Sequence, residues 1–341
     1  MRNLTIFWHL PGILFALGSF VGILSDKVSA GILVKIGTAL FTLSFVFLAE
    51  YGNSFATVLG LQGVLFGVAN TLLYYPVVSV ATEWFDTKRG LALGLISSGS
   101  SIGGIFWPIV VNALDGRWGM NRALLGVALI PLAPLAVSSF IVRERNGGGK
   151  VTLRSLSRVK VTVPKCSRRP MLDTASTLLG AVAQSRFILL SVSLFFVYGG
   201  FLLPFNYIPM FAEFNGHGGM ADALLAICYS GSFVGRISTG ALADRFGSFR
   251  VLCIMSFGTA TLTLCWIFMR TFAGMVAFAV LFGFFSGGLI PLGAVCVADM
   301  TSPKDMEHIG FRLGFMMMLC SVSTVGSGPL CGYILQSEGQ S

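Results

Sequence analysis

Ten apolar stretches of roughly twenty residues follow one another along the chain. They lie at 4–25, 31–49, 55–80, 90–112, 122–142, 186–211, 220–243, 250–269, 273–298 and 309–335. A helix needs about 20 residues to cross a ~30 Å hydrocarbon core. Backbone in hydrocarbon must satisfy its own hydrogen bonds, which leaves helices or closed barrels. The pattern therefore predicts an all-α membrane protein with about ten transmembrane helices. Residues 4–25 have no basic run before them and no cleavage-site pattern, so they read as a span and not as a signal peptide. Polar residues collect between the stretches, and one gap, 143–185, is far longer than the rest.

Composition agrees: 55% of the 341 residues are hydrophobic and only 11% are charged, too little charge to cover a soluble domain of this length. The charges that remain set an orientation. Ten of the 23 Lys and Arg residues lie between Arg143 and Arg186, against only Glu144 and Asp173. The positive-inside rule places this segment in the cytoplasm; its bases border membrane spans, which argues against nucleic acid and makes membrane lipid, through anionic headgroups, an expected partner. Lys27, Lys35, Lys88, Arg89, Arg245, Arg250, Lys304 and Arg312 fall on the same side if the helices alternate. The segment contains NGGG at 146–149 and TLRSLSRVK at 152–160, the composition of a flexible basic linker. Ser155 and Ser157 lie beside arginines and are candidate phosphorylation sites or simply part of a solvated loop.

Seven cysteines form no C-x-x-C pair, and six of them sit inside apolar stretches, as small apolar residues do. His9, His217 and His308 are scattered, without metal-ligand spacing. No nucleophile-elbow or phosphate-loop string occurs. The expectation is a protein without cofactor or metal, and not an enzyme.

Two loops repeat. GILSDK at 22–27 returns as GALADR at 240–245, each closing one apolar stretch and opening the next. VLFG at 64–67 returns at 280–283, Pro76 answers Pro291, RGLALG at 89–94 resembles IGFRLG at 309–314, and Pro108 answers Pro329. The matches keep their order, as in parallel repeats of transporter bundles. The division expected is an N-terminal bundle, 1–142, a cytoplasmic basic linker, 143–185, and a C-terminal bundle, 186–341. Gly-x-x-x-Gly pairs at Gly18/Gly22, Gly63/Gly67, Gly99/Gly103, Gly231/Gly235, Gly283/Gly287 and Gly328/Gly332 let helix backbones approach closely, either as static packing or as sliding contacts.

In the loops, the Asp244 carboxylate can bond the free amides at the start of the next helix, with Arg245 and Arg250 near it. Asp26 and Lys27 are the first copy's counterparts. With Lys88 and Arg89 at the end of the 90–112 stretch, these residues make a candidate latch or gate.

The Gly-x-Leu-x-Asp-basic loop in both halves resembles the major facilitator superfamily. EWFDTKRGLALGLISSGSSIGG at 83–104 resembles the helix-5 signature of monocarboxylate transporter-like proteins, through Trp84, Phe85, Lys88, Arg89, Leu91, Ala92, Gly94 and Gly99. GRISTGALADRFG at 235–247 and GFFSGG at 283–288 are most similar to the fungal branch. The resemblance implies a two-bundle fold. In the family's twelve-helix plan the Asp-basic loop joins helices two and three of each half, so the chain corresponds to helices two to eleven, with the first and last absent. It also implies a secondary transporter working by alternating access, with a multi-pass protein expected in the plasma membrane.

Arg236 is the strongest site candidate. It lies eight residues before Asp244, about 12 Å along a helix, near mid-membrane, where a fixed cation faces a cavity or a partner. The resemblance places a carboxylate-binding arginine here, and a guanidinium grips a carboxylate as a fork. Snorkelling to the membrane edge is the structural alternative. Proton-coupled relatives carry Asp four residues earlier, where this chain has Ser232, so proton coupling stays open. Asn206 and Tyr207, between Pro204 and Pro209, suit a bent gating helix, since prolines break the helix ladder; Tyr229 completes the candidate set. The expected substrate is a small organic solute, best a monocarboxylate or related organic anion. The alternatives are an exporter of a hydrophobic metabolite, with Arg236 structural, and a non-transporting remnant or sensor.

Overall fold

The structure, a computed structural model, describes residues 18–52, 54–85, 87–142, 180, 182–302 and 308–338. The elements among them are helices: α1 (Gly18–Lys27), α2 (Ala30–Tyr51), α3 (Phe66–Trp84), α4 (Arg89–Trp118), α5 (Met120–Leu129), α6 (Leu132–Ile141), α7 (Ser185–Phe201), α8 (Leu203–Phe214), α9 (Ala221–Phe246), α10 (Ser248–Cys265), α11 (Phe272–Gly287), α12 (Leu289–Met300) and α13 (Ile309–Glu338). Nine helical stretches among the described residues are long and apolar enough to cross a membrane, and they coincide with nine of the ten predicted spans. The tenth, 4–25, is described only from Gly18. The linker reading for 143–185, with Ser155 and Ser157, lies almost wholly outside the described residues.

Breaks in the helices have local causes. The stretch at 55–80 opens with one α-turn, Phe55–Val58, and a wider π-turn segment, Leu59–Leu65, around Gln62 before α3 begins. The stretch at 186–211 divides at Leu202 and not between the two prolines. Pro204 lies in the first turn of α8, where its missing N–H is no loss. Pro209 is accommodated inside α8. The Asn206 amide still donates to the Leu202 carbonyl at 3.3 Å, so Asn206 and Tyr207 sit on continuous helix.

By contact the chain falls into two compact units. One comprises Met1–Trp84, Ala128–Phe195 and Met300–Val325, the other Phe85–Val127, Phe196–Asp299 and Gly326–Ser341. Each unit therefore draws on both sequence halves.

In the first unit α1 runs against α13. A Cβ at Gly22 would strike the Gly310 carbonyl, and one at Gly18 would strike the Gly314 carbonyl and the Tyr75 ring. Beside them α2 packs on α3, burying Leu33, Val34 and Leu48. Phe41, Phe45 and Phe66 close this contact with ring centroids 5.2–5.6 Å apart.

In the second unit α9 is central, with α4 on one side and α11 on another. On the α11 side two glycine pairs interleave. Cβ atoms at Gly231 and Gly235 would strike the carbonyls of Val280 and Phe284, and those at Gly283 and Gly287 the carbonyls of Cys228 and Ser232. Lipid tails are as apolar as Leu, so close backbone packing drives this association and not exclusion from water. Ile208, Leu224, Phe278 and Phe282 pack around this crossing, and Trp266 stacks on Phe278 at 5.3 Å. Two other predicted pairs differ: Gly99 and Gly332 have no neighbour within 4 Å of a Cβ.

A bulky residue at the interleaved crossing should therefore be costly. Gly283→Leu is expected to destabilise the protein by about 1–3 kcal/mol, the usual cost of overpacking, while Gly99→Ala leaves stability unchanged. Thermal unfolding in detergent, followed by tryptophan fluorescence, checks the pair.

Candidate functional site

Helix starts leave four backbone amides without partners inside the helix. Two of the predicted latch residues meet this need, but not at the helix that follows them in sequence. The Asp244 carboxylate, at the end of α9, accepts from the amides of Gly90 at 2.7 Å and Leu91 at 2.9 Å, at the start of α4, some 154 residues away. The Asp26 carboxylate, at the end of α1, accepts from Gly310 and Phe311 at the start of α13, both at 3.0 Å. The same two-pronged cap thus forms once in each unit. The helix that follows Asp244, α10, is instead preceded by Gly247 with φ 94°, a left-handed turn that suits glycine.

The basic latch candidates flank these caps in sequence. Lys27 and Lys88 are exposed, and Arg245 lies over the Phe246 ring at 5.5 Å. Arg89 donates from Nε to the Phe85 carbonyl at 2.8 Å and approaches Asp299 to 3.8 Å. Asp299 also accepts from the Ser248 hydroxyl at 2.6 Å. Asp299 and Ser248 thus tie the ends of α12 and α10 to the start of α4. Sequence reasoning gave neither Asp299 nor Ser248 a role. The one available signal was a carboxylate and an arginine at predicted helix ends.

Arg236 is buried, with 8% of its surface exposed, on the face of α9 that meets α4. Four short residues of α4 line this seam, namely Gly90, Gly94, Ser97 and Ser101, at the spacing of one helix face. A Cβ at Gly94 would strike the Arg236 carbonyl, and one at Gly90 the Gly240 carbonyl. The Gly90/Gly94 pair does the work expected of the six pairs named above but was read only as part of a signature. Because the backbones approach so closely, the guanidinium lies among α4 dipoles. Nη1 donates to the Ser97 carbonyl and to the Ser100 hydroxyl, both at 2.6 Å, and Nε donates to Ser232 Oγ at 3.3 Å. The Ser101 hydroxyl donates to the same Ser232 oxygen at 3.2 Å. These bonds offset part of the several kcal/mol that desolvating a cation costs. Arg236 is thus buried in a helix seam and does not snorkel.

Tyr229 lies two turns from Arg236 on the same face of α9. Its ring occupies the space that Gly104 of α4 leaves open, and it contacts Phe205 of α8 at 5.3 Å. Arg236 and Tyr229 therefore share the α4–α9 seam. Asn206 is exposed and Tyr207 half-buried on α8, and the Tyr207 side chain meets the Cys331 thiol of α13. The structure does not bring these two into the Arg236 cluster.

With this geometry in view, the comparisons with known proteins agree. The Major Facilitator Superfamily profile matches residues 10–328. The MFS-type transporter pynF of Aspergillus niger is 33% identical over 329 residues, covering 96% of this chain and 71% of the relative. The aspyridones efflux protein apdF of Emericella nidulans is 29% identical over 328 residues, covering 96% of this chain and 62% of the relative. The chain thus spans well short of the full length of these relatives. Among solved structures, the MFS transporter FucP in its outward conformation aligns with a TM-score of 0.69 at 17% identity, covering 99% of this chain and 84% of that one.

The caps give a local prediction. Asp244→Ala removes the partner of two amides, a loss of about 0.5–2 kcal/mol at a helix start. Amide exchange at Gly90 and Leu91 is expected to quicken about tenfold, while the Asp26-capped amides of Gly310 and Phe311 keep their rate. Hydrogen–deuterium exchange of the two peptides reads the difference.

Proposed function

Because the chain belongs to the Major Facilitator Superfamily of membrane transporters, we propose that it carries a small organic solute across a membrane by alternating access, and that the solute is an organic anion of the monocarboxylate kind. The observation that carries this reading is Arg236, a cation buried in a membrane-spanning helix and held by a carbonyl and two hydroxyls. A fixed intramembrane charge marks a solute path more often than a structural joint, and guanidinium matches a carboxylate in shape and charge. The helix-5 signature at 83–104 supports placing the chain in the monocarboxylate transporter-like branch. The plasma membrane, with the basic segment 143–185 in the cytoplasm, is the proposed setting.

The seam supplies a way to couple binding to movement. Nη1 of Arg236 is shared between Ser97 and Ser100 of α4. A solute carboxylate that draws it off would remove two charge-assisted bonds from the α4–α9 contact. Binding would thereby loosen the helix pair whose far end Asp244 caps. The caps and the Arg89–Asp299 pair would serve as the latch of one state. Asn206, Tyr207 and Tyr229 complete the proposed solute path.

Export of a more apolar metabolite is the second reading. It is favoured by the efflux protein among the relatives and by the same bonds, which make Arg236 a structural cation. Labelled monocarboxylates, followed for uptake and for efflux in vesicles, separate the two. Under the anion reading Arg236→Lys keeps the charge, loses the fork and lowers flux at least tenfold. Undiminished flux in this variant leaves the structural role.

Ser232 gives a further test. A hydroxyl does not titrate in the physiological range, so the Arg236–Ser232 contact itself cannot carry a proton. Ser232→Asp would set a carboxylate against the guanidinium and is expected to steepen the dependence of flux on pH relative to wild type, measured with a proton gradient imposed across the vesicle.

A further inference from the structure

A cavity of about 340 Å³ lies in the first unit between the start of α7 and the first turns of α13. This falls in the size range of ligand pockets. Its walls are apolar: Phe187, Ile188 and Val192 from α7 face Phe315 and Leu319 from α13. Ile188 and Val192 are each nearly half exposed, so the cavity opens at the surface of a helix pair read as membrane-spanning.

One lining residue has a polar side chain. Ser191 is 1% exposed, and its hydroxyl has no hydrogen-bond partner among the described residues. Serines on membrane helices usually bond a carbonyl one turn back, as Ser193 does to Leu189 at 2.8 Å. A buried hydroxyl without a partner costs about 1–3 kcal/mol, so a ligand offering an acceptor would gain by supplying one.

Arg186 adds charge. It is exposed, directly precedes the buried Phe187, and stands five residues, about 7.5 Å along the helix, from Ser191. Arg186 also ends the sequence segment that holds ten of the chain's 23 Lys and Arg residues. Charge of this kind draws the anionic lipids of the cytoplasmic leaflet.

We propose that this cavity is a binding site for an anionic glycerophospholipid. One acyl chain enters past Val192 of α7, against Phe315 and Leu319 of α13. An ester carbonyl accepts from the Ser191 hydroxyl, and the phosphate lies against Arg186. Along α7 the order Arg186, Ser191, Val192 matches phosphate, ester carbonyl and chain. The cavity holds part of one chain and not a whole lipid, so the remainder stays in the bilayer. This reading is independent of the transported solute.

The test uses the purified full chain in mild detergent, titrated with phosphatidylserine or with phosphatidylcholine of the same chains. Native mass spectrometry counts retained lipid, and thermal unfolding reports stabilisation. Phosphatidylserine is expected to be retained at least fivefold better than phosphatidylcholine and to raise Tm. Arg186→Gln, at an exposed position, should abolish that preference, and Ser191→Ala should weaken retention of both lipids. Leu319→Trp, which fills the cavity, should remove retention altogether. Glycerophosphoserine, which lacks chains, should give no stabilisation. Equal retention of the two lipids, an unchanged preference in Arg186→Gln, or protection by the chain-free headgroup would overturn the proposal. So would protection by an uncharged apolar solute where phosphatidylserine gives none.

Discussion

The amides at the start of a membrane helix need acceptors, and in two places this chain supplies them from more than 150 residues away. Asp26 caps α13 and Asp244 caps α4, each with both carboxylate oxygens at 2.7–3.0 Å. Such bonds form only if the two helices nearly touch. They touch because glycine faces glycine one turn from each carboxylate: Gly22 lies against Gly310, and Gly240 against Gly90. A methyl group at any of these four positions would push the backbones apart and carry the carboxylate out of reach. The glycine seam and the cap are therefore one device, with packing giving the distance and charge giving the direction, since an anion is favoured at the positive end of a helix.

The two copies of this device differ at the place that matters most for chemistry. Counting back four residues from the paired glycines gives Gly18 in the first copy and Arg236 in the second. Opposite them stand Gly314 and Gly94. In the first copy the seam continues as glycine on glycine, with the Tyr75 ring against it. In the second a guanidinium occupies the equivalent level and reaches Ser97 and Ser100. The architecture is duplicated, and a charge at this one position is the departure from it. A position that repeats as glycine has no need of arginine for packing.

The spans were legible because hydrocarbon imposes a long, simple apolar pattern, and the paired loops were legible because Gly-x-Leu-x-Asp-basic is short and exact in spacing. Arg236 was legible from its depth relative to Asp244. The partners were not. Asp244 read as a cap for the helix beside it, since nothing in a linear sequence marks Gly90 as nearer in space than Ser248. Gly90 and Gly94 were hidden for a related reason, inside a string already given another meaning. Tyr207 and Cys331 illustrate the same limit: both looked like isolated residues in apolar stretches, and only the fold brings them together. Periodicity reports which face of a helix is thin, but not which helix covers it.

The way Arg236 is compensated bears on what it can do. A buried guanidinium facing a carboxylate would form a strong pair, costly to open and titratable. Here the acceptors include a backbone carbonyl and two serine hydroxyls. Each such bond is worth only about 1.5–3 kcal/mol, and none neutralises the charge. Bonds to dipoles leave a formal positive charge its attraction for an anion, because dipoles lower its energy without cancelling its field. The serines thus steady the guanidinium in the seam while leaving a carboxylate something to gain. Ser100 is suited to this, since its hydroxyl accepts from Arg236 while donating to the Ser97 carbonyl at 3.0 Å. When the guanidinium moves, that serine still keeps one bond within its own helix, and the cost of releasing the arginine is correspondingly small.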